Sequence, residues 1–261
     1  MAVPRRWFVA GGLLGTVSLI APSSPSGGTG APLSLHFRQR EGQTTVSDHL
    51  GRRYDSRSYL VAPQQPVPTG DRQELSLEFY ATGYFTPDNL GHFAIGLRGD
   101  ASADVTGDGR PDVRGRGVVL GNVSDYPRQP NHPHCGPAHD ANSLVFESFW
   151  AAGNCVYGPS VPVGGHPVLR NGVWYRLTLW SGPACSNRST RLAMGYTLWQ
   201  QARNARTRWQ RVASHQVLDD ARNTSPASLD GWFIGEVFSR HDWSLRMRNI
   251  QVRLRPQAGC D

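Results

Sequence analysis

Asp104, Thr106 and Asp108 stand at alternate positions in the stretch DVTGDGRPD (residues 104–112), with Gly109 following and Asp112 closing it. Oxygen donors at loop positions one, three and five are what a hard cation demands. A glycine at position six suits the sharp turn, and Arg110 offers its backbone carbonyl at seven. Calcium is therefore the expected ion, with Asp104, Thr106, Asp108, Arg110 and Asp112 as its ligands. Position twelve is Gly115 and no helical pattern flanks the loop, so this is not an EF-hand. The same residues also form good metal-free turns. Nothing adjacent suggests that such an ion does more than stiffen a loop.

Carboxylates within strand-like stretches are the next source of chemistry: Glu74, Glu78, Glu147 and Glu236, with His92 and His241 nearby in type. Glu147 and Glu236 lie amid apolar neighbours, which can raise a carboxyl pKa as a general acid requires, so these two are the catalytic candidates. The competing reading is that each is an outward strand charge paired with one of the 27 basic residues. NHPHCGPAHD (131–140) gathers His132, His134, Cys135, His139 and Asp140, ligand types that suit zinc or copper. Its prolines and a cysteine expected in a disulfide favour a stiff surface loop instead.

Eight tryptophans exceed what a core of this size needs. In GVWYRLTLW, Val173, Tyr175, Leu177 and Leu179 share one face of a strand, and Trp174, Arg176, Thr178 and Trp180 share the other. The first set is a core face. Flat rings beside polar groups on the second are what sugar stacking requires, and Trp174, Arg176, Trp180 and Trp150 are the candidate carbohydrate contacts. The alternative is that these rings pack beneath long loops. Every basic residue is arginine and the net charge is +7. Guanidinium binds carboxylate, sulfate and phosphate bidentately and would suit an acidic glycan, although a compositional preference for arginine gives the same count. The arginines are spread along the chain, so nucleic acid is not an expected partner.

Period-two alternation dominates after residue 70 and no window carries a helical stripe. Strands are expected around SLHF, ELSLEFYATG, HFAIGLRG, RGRGVVLGN, NSLVFESFW, GVWYRLTLWSG, RLAMGYTLWQ, WQRVASHQVL, GWFIGEVFS and WSLRMRNIQVRLR. QQARNART reads as a hairpin tip, and residues 38–70 as irregular loops following the SLHF strand. Many short strands with turn signals between them predict an all-β fold of two antiparallel sheets, a jelly-roll sandwich. Arg5 and Arg6 before the apolar run Trp7–Ala21 and the small-residue stretch after it predict a signal peptide over 1–31, cleaved between 21 and 31. RRWFVA resembles a twin-arginine signal. A secreted or periplasmic, monomeric protein of one domain, 32–261, then remains, with no membrane contact once the leader is removed. Export fits four cysteines in two disulfides, for which Cys135–Cys155 and Cys185–Cys260 are preferred among three pairings.

The order NGVWYRLTLWSG, RLAMGYTLWQ, WQRVASHQVL, GWFIGEVFS, WSLRMRNIQVRLR resembles the second half of concanavalin A-like lectin and glucanase domains, including laminin-G-like modules. The likeness covers roughly residues 70–255 and implies a jelly roll, one face of which binds glycans in many relatives. The E-x-D-x-E catalytic strand of the family's glucanases is missing here; LVFESFW offers only Glu147. DRQELSLEF resembles the R-x-E-L strand of alginate-lyase-like jelly rolls at Arg72 and Glu74, without a companion Q-x-H. DVTGDGRPD resembles the calcium loops of FG-GAP and VCBS-type domains. The leading expectation is a calcium-stabilised module that binds a polysaccharide or other glycan without catalysis. A glycoside hydrolase or polysaccharide lyase using Glu147 or Glu236 is the alternative, and a surface adhesion domain the second.

Overall fold

The structure, a computed structural model, describes residues 33–40, 43–48, 53–55, 60–61, 71–86, 92–103, 112–121, 143–150, 153–156, 167–184, 192–202, 207–218, 231–238 and 242–256. These residues form fourteen strands. In chain order they are β1 (Leu33–Arg40), β2 (Gln43–Asp48), β3 (Arg53–Asp55), β4 (Leu60–Val61), β5 (Asp71–Thr82), β6 (His92–Ala103) and β7 (Asp112–Gly121). There follow β8 (Ser143–Trp150), β9 (Gly153–Val156), β10 (Trp174–Pro183), β11 (Leu192–Gln201), β12 (Trp209–Leu218), β13 (Trp232–Phe238) and β14 (Trp243–Pro256). An eight-stranded sheet runs β12-β11-β10-β5-β14-β1-β2-β3, and a six-stranded sheet β4-β13-β6-β7-β8-β9. All pairings are antiparallel.

Alternation explains why these segments pair as they do. Leu75, Leu77 and Phe79 of β5, Tyr175, Leu177 and Leu179 of β10, and Leu245 and Met247 of β14 all point to one side and are buried. Opposite them lie Phe93, Ile95 and Leu97 of β6, Val118 and Leu120 of β7, and Leu144 and Phe146 of β8. Rings bridge the two layers: Phe37 meets Phe93 edge-on at 4.7 Å, and Phe146 meets Tyr196 at 4.9 Å. The expected two-layer antiparallel sandwich is the fold.

Two polar devices fix the layers. Buried Gln73 of β5 accepts from the Arg98 N–H (2.9 Å) and donates to the Gly231 carbonyl (3.5 Å), while the Arg98 guanidinium donates to the carbonyls of Asp71 and Ser181. These bonds tie β6 and the entry to β13 to the larger sheet. Before β10, Asn171 accepts from the Tyr84 and Phe85 N–H groups (3.0 and 3.1 Å) and returns a bond to the Phe85 carbonyl (3.0 Å). Gly172, at φ +75°, donates to the Ala81 carbonyl at 2.9 Å. The turn thereby sets the β5–β10 register.

Residues 38–70 depart from expectation. β2, β3 and β4 stand where loops are expected. QTTVSD has a single apolar residue, Val46, and extends β1 toward the sheet edge, where one face need not be apolar, so alternation gives no signal. β9 is a further short strand without a sequence signal. The tip at QQARNART is closed by an Ala202 N–H bond to the Arg208 carbonyl (2.9 Å), as a hairpin requires.

In β14 the alternation changes phase. Met247 and Ile250 are both buried although three residues apart, because Asn249 is inserted as a bulge with φ +56° between the Arg248↔Glu78 and Gln251↔Ser76 pairs. Asparagine tolerates that left-handed conformation; a β-branched residue does not. Asn249→Gly is therefore expected to match or slightly exceed the parent in urea denaturation. Asn249→Val should lose about 1–2 kcal/mol.

Candidate functional site

The face of the larger sheet that turns away from the core is ordered in rows, one side chain per strand. In the first row Trp174 sits beside Tyr80, Tyr80 beside Arg246, and Arg246 beside His36. The second holds Trp199, Arg176, Glu78 and Arg248. The third holds Ser214, Thr197, Thr178, Ser76 and Gln251. The fourth holds Gly195, Trp180, Glu74 and Arg253.

The third row is made of small hydroxylated side chains and one amide, and both neighbouring rows of large ones except at Gly195, which the Trp180 indole covers. Small between large makes a trough that crosses the strands. At ~3.4 Å per residue its walls stand about 14 Å apart at the backbone, and at ~4.8 Å per strand its floor runs about 19 Å from β12 to β14. Along the floor Thr197 Oγ1 and Ser214 Oγ share a hydrogen bond of 3.2 Å. Arg253 donates to the Gln251 side-chain oxygen at 2.8 Å, joining one wall to the end of the floor.

One wall is organised around a carboxylate. Glu78 is 5% exposed, and its Oε1 accepts from Arg176 Nε (3.1 Å) and Nη2 (2.8 Å) while its Oε2 accepts from Arg248 Nε (2.8 Å). Burial pushes this carboxyl's pKa up, but the hydrogen bonds and charges of Arg176 and Arg248 outweigh burial and hold it below the ordinary glutamate value. Both guanidiniums remain 42–44% exposed along their side chains. Each also lies over an indole, Arg176 at 4.3 Å from the Trp209 ring centre and Arg248 at 3.9 Å from that of Trp174. Tyr80 packs against Trp174 at 5.4 Å.

The opposite wall rests on Trp180. A Cβ at Gly195 would stand 2.5 Å from Cε2, Cζ2 and Nε1 of this indole, so only glycine lets the ring lie against β11. Arg72 sits 4.1 Å from the ring centre, and Glu74 bridges Arg72 (3.7 Å) and Arg255 (3.2 Å). Trp174, Arg176 and Trp180 thus share a face, as their spacing predicts. The two rings do not stand bare: Trp180 carries the guanidinium of Arg72 from the adjacent β5, and Trp174 that of Arg248 from β14, beyond β5.

The other candidates lie elsewhere. Trp150 ends β8 in the smaller sheet, where it pairs with Gly153, away from the trough. Glu147 of β8 pairs with Gly117, and Glu236 of β13 with Phe93; β7 and β6 run between these strands, about 14 Å of sheet at 4.8 Å per strand. Glu147 shares its row with Gly117 and Gly96, whereas Glu236 shares the row of core-facing Phe93. The strand order does not bring the two positions together. His92 opens β6, paired with Gly121 and Phe238.

Asp104, Thr106, Asp108 and Arg110 lie outside the described residues. Asp112 opens β7 and pairs with Ala103 of β6. His132, His134, Cys135, His139 and Asp140, like His241, Cys185 and Cys260, also lie outside, as does the signal peptide. Cys155 is on β9 opposite Ser148. Among the described residues no three metal-ligating side chains form a group. Arg248, Gln251 and the floor row escape sequence reasoning: alternation puts each on the outer face but does not say which strands are neighbours.

No family model and no curated protein matches the sequence. Among solved structures the chain is similar to the potassium-bound form of the Emp46p carbohydrate recognition domain, at 11% identity over 87% of this chain and 89% of that one, TM-score 0.42. It is also similar to a variant of the alginate lyase Aly36B in complex with an alginate trisaccharide, at 11% identity over 85% and 88%, TM-score 0.40. The alginate lyase vAL-1 from Chlorella virus is similar at 12% identity over 82% and 86%, TM-score 0.38. At such identities the likeness is one of chain course.

Because folding lowers the Glu78 pKa, the folded chain takes up this proton less readily than the unfolded one. The stabilisation is complete above the ordinary glutamate value of about 4.3 and drains away as pH falls through the folded value. Glu78→Gln should flatten that acid limb of a stability–pH curve and cost about 1–2 kcal/mol at pH 7. Urea midpoints measured from pH 7 down to pH 3 check both.

Proposed function

We propose that the trough on the outer face of the larger sheet binds a polysaccharide chain lying across the strands, and that the protein is an exported carbohydrate-binding module. The observation that carries this is the row Ser214–Thr197–Thr178–Ser76–Gln251 between walls of indole and guanidinium. A sugar ring needs hydrogen-bonding partners around its rim and a flat apolar contact beside it. Hydroxyls and an amide supply the first. The Trp199 and Trp180 rings, half-buried at the two walls, supply the second.

A hydrolase built on Glu147 and Glu236 lacks support from the register, since a glycosidase pair must close to within about 10 Å. Binding without turnover is the reading we adopt. The calcium loop belongs to the same proposal: oxygen donors of Asp104, Thr106, Asp108, Arg110 and Asp112 at a hairpin tip fit calcium and would brace the β6–β7 connection. Its stems are paired at Ala103 and Asp112.

Thr178→Trp fills the floor at its centre. Affinity electrophoresis of the mature chain through gels containing neutral and charged polysaccharides should show retardation that this variant and Trp180→Ala abolish, with unchanged melting temperatures. Reducing-end and unsaturated-product assays on the retained polysaccharide should stay blank. Retardation by no polysaccharide defeats the proposal, and product formation replaces it with the enzyme alternative. Chelation should lower the melting temperature by about 5 °C, restored by calcium and lost in Asp108→Ala.

A further inference from the structure

Arg72 and Arg176 from β5 and β10, Arg211 from β12, and Arg246, Arg248, Arg253 and Arg255 from β14 stand on the trough's face; among the described residues of the five strands that form the trough, two carboxylates, Glu74 and Glu78, stand there with them. Both carboxylates are already divided, Glu78 between Arg176 and Arg248, Glu74 between Arg72 and Arg255. Arg72 and Arg255 are directly opposed across β5 and β14, an arrangement that like charges make unfavourable. In the first row Arg246 is opposed by His36, whose pKa is lowered by burial and then by the charges of Arg246 and Arg38. The face is a concentration of positive charge held together at a cost.

A neutral sugar gives that charge nothing to do. We propose that the trough takes a polyuronate, a sugar chain whose ring carboxylates are gripped by Arg176 and Arg248 on one wall and Arg253 on the other. This rests on the carbohydrate-binding reading above and names the substrate class for the same site.

The geometry of the guanidiniums favours a carboxylate. A guanidinium has five N–H donors in a planar fork that matches the two oxygens of a carboxylate. Arg176 gives two of its five to Glu78 and Arg248 one, so three and four remain unengaged by that carboxylate. Stacking on Trp209 and Trp174 fixes the plane of each fork, and the Glu78 bonds fix its rotation. A preset fork loses less rotamer freedom when it meets a ligand. Glu78 acts here as a positioning residue; the arginines make the contact. Arg253 stands across the floor, next to Gln251, with which it is bonded. A chain lying over Thr178 and Ser76 therefore has guanidinium on both flanks, spaced for more than one sugar unit.

The test uses the mature full chain with polygalacturonate, alginate and glucuronan, with fully methyl-esterified polygalacturonate as the uncharged counterpart, and with dextran and dextran sulfate. At least one polyuronate should bind, weakening as salt rises. Loss of charge by esterification should weaken polygalacturonate binding tenfold or more, where that is the chain bound. Arg176→Gln with Arg248→Gln should raise Kd at least tenfold and shrink the salt dependence. Arg253→Gln, which leaves the Glu78 cluster intact, should raise it severalfold and serves if the double variant fails to fold. Arg248→Lys, keeping charge but losing the fork, should fall between parent and Gln variant.

Binding of dextran but of no polyuronate overturns this inference and leaves carbohydrate binding standing. Binding of dextran sulfate alone overturns the carboxylate assignment. Polyuronate binding unchanged by all the arginine variants overturns the site. Retention of no chain at all sinks the carbohydrate reading and this inference with it.

Discussion

A carboxylate removed from water must be paired, and Glu78 is paired twice. That requirement organises the face of the larger sheet. Each arginine that reaches Glu78 comes from a different flanking strand, β10 on one side and β14 on the other, so the ion pairs hold only if all three strands keep their register. Once turned toward Glu78, the two guanidiniums settle over Trp209 and Trp174. Removal of one partner from such a cluster leaves the rest imperfectly satisfied, which is why its members behave as a unit.

Beneath that face the opposite residues of the same strands do the folding. Leu75, Leu77 and Phe79 alternate with Glu74, Ser76 and Glu78 along β5, so one strand supplies both core and trough. The bulge at Asn249 is where these two duties are reconciled on β14: it returns Ile250 to the core after Met247 and puts Gln251 and Arg253 on the same face as Arg248. Gln73, Arg98 and Asn171 lock the layers and the register with hydrogen bonds. A stiff floor follows, held by the ladder bonds of the five strands from β12 to β14.

The alternation of GVWYRLTLW and ELSLEFYATG made the buried and outward sets of β10 and β5 readable before any coordinates, because period two is a property of a single strand. What could not be read is which strands stand side by side. The pairing of Glu78 with Arg248 joins residues 170 apart in the chain, and the row Thr197–Thr178–Ser76 joins three separate strands. Glu147 and Glu236 are alike locally, amid apolar neighbours, yet β6 and β7 stand between their strands in the smaller sheet. Trp150 looked like its fellow tryptophans and belongs to the other layer. β2 leaves no alternation signal because a strand near a sheet edge needs no apolar face.

Sugar is to meet the larger sheet at its outer face and nowhere else. Indole Nε1–H resonances of the isotope-labelled protein, titrated with an oligosaccharide of the chain it retains, report each tryptophan separately. Trp180 and Trp199, at the two walls, should shift on binding, while Trp232 and Trp243, packed against or within the core, stay still. Shifts at Trp150 or Trp232 with none at Trp180 or Trp199 would contradict it.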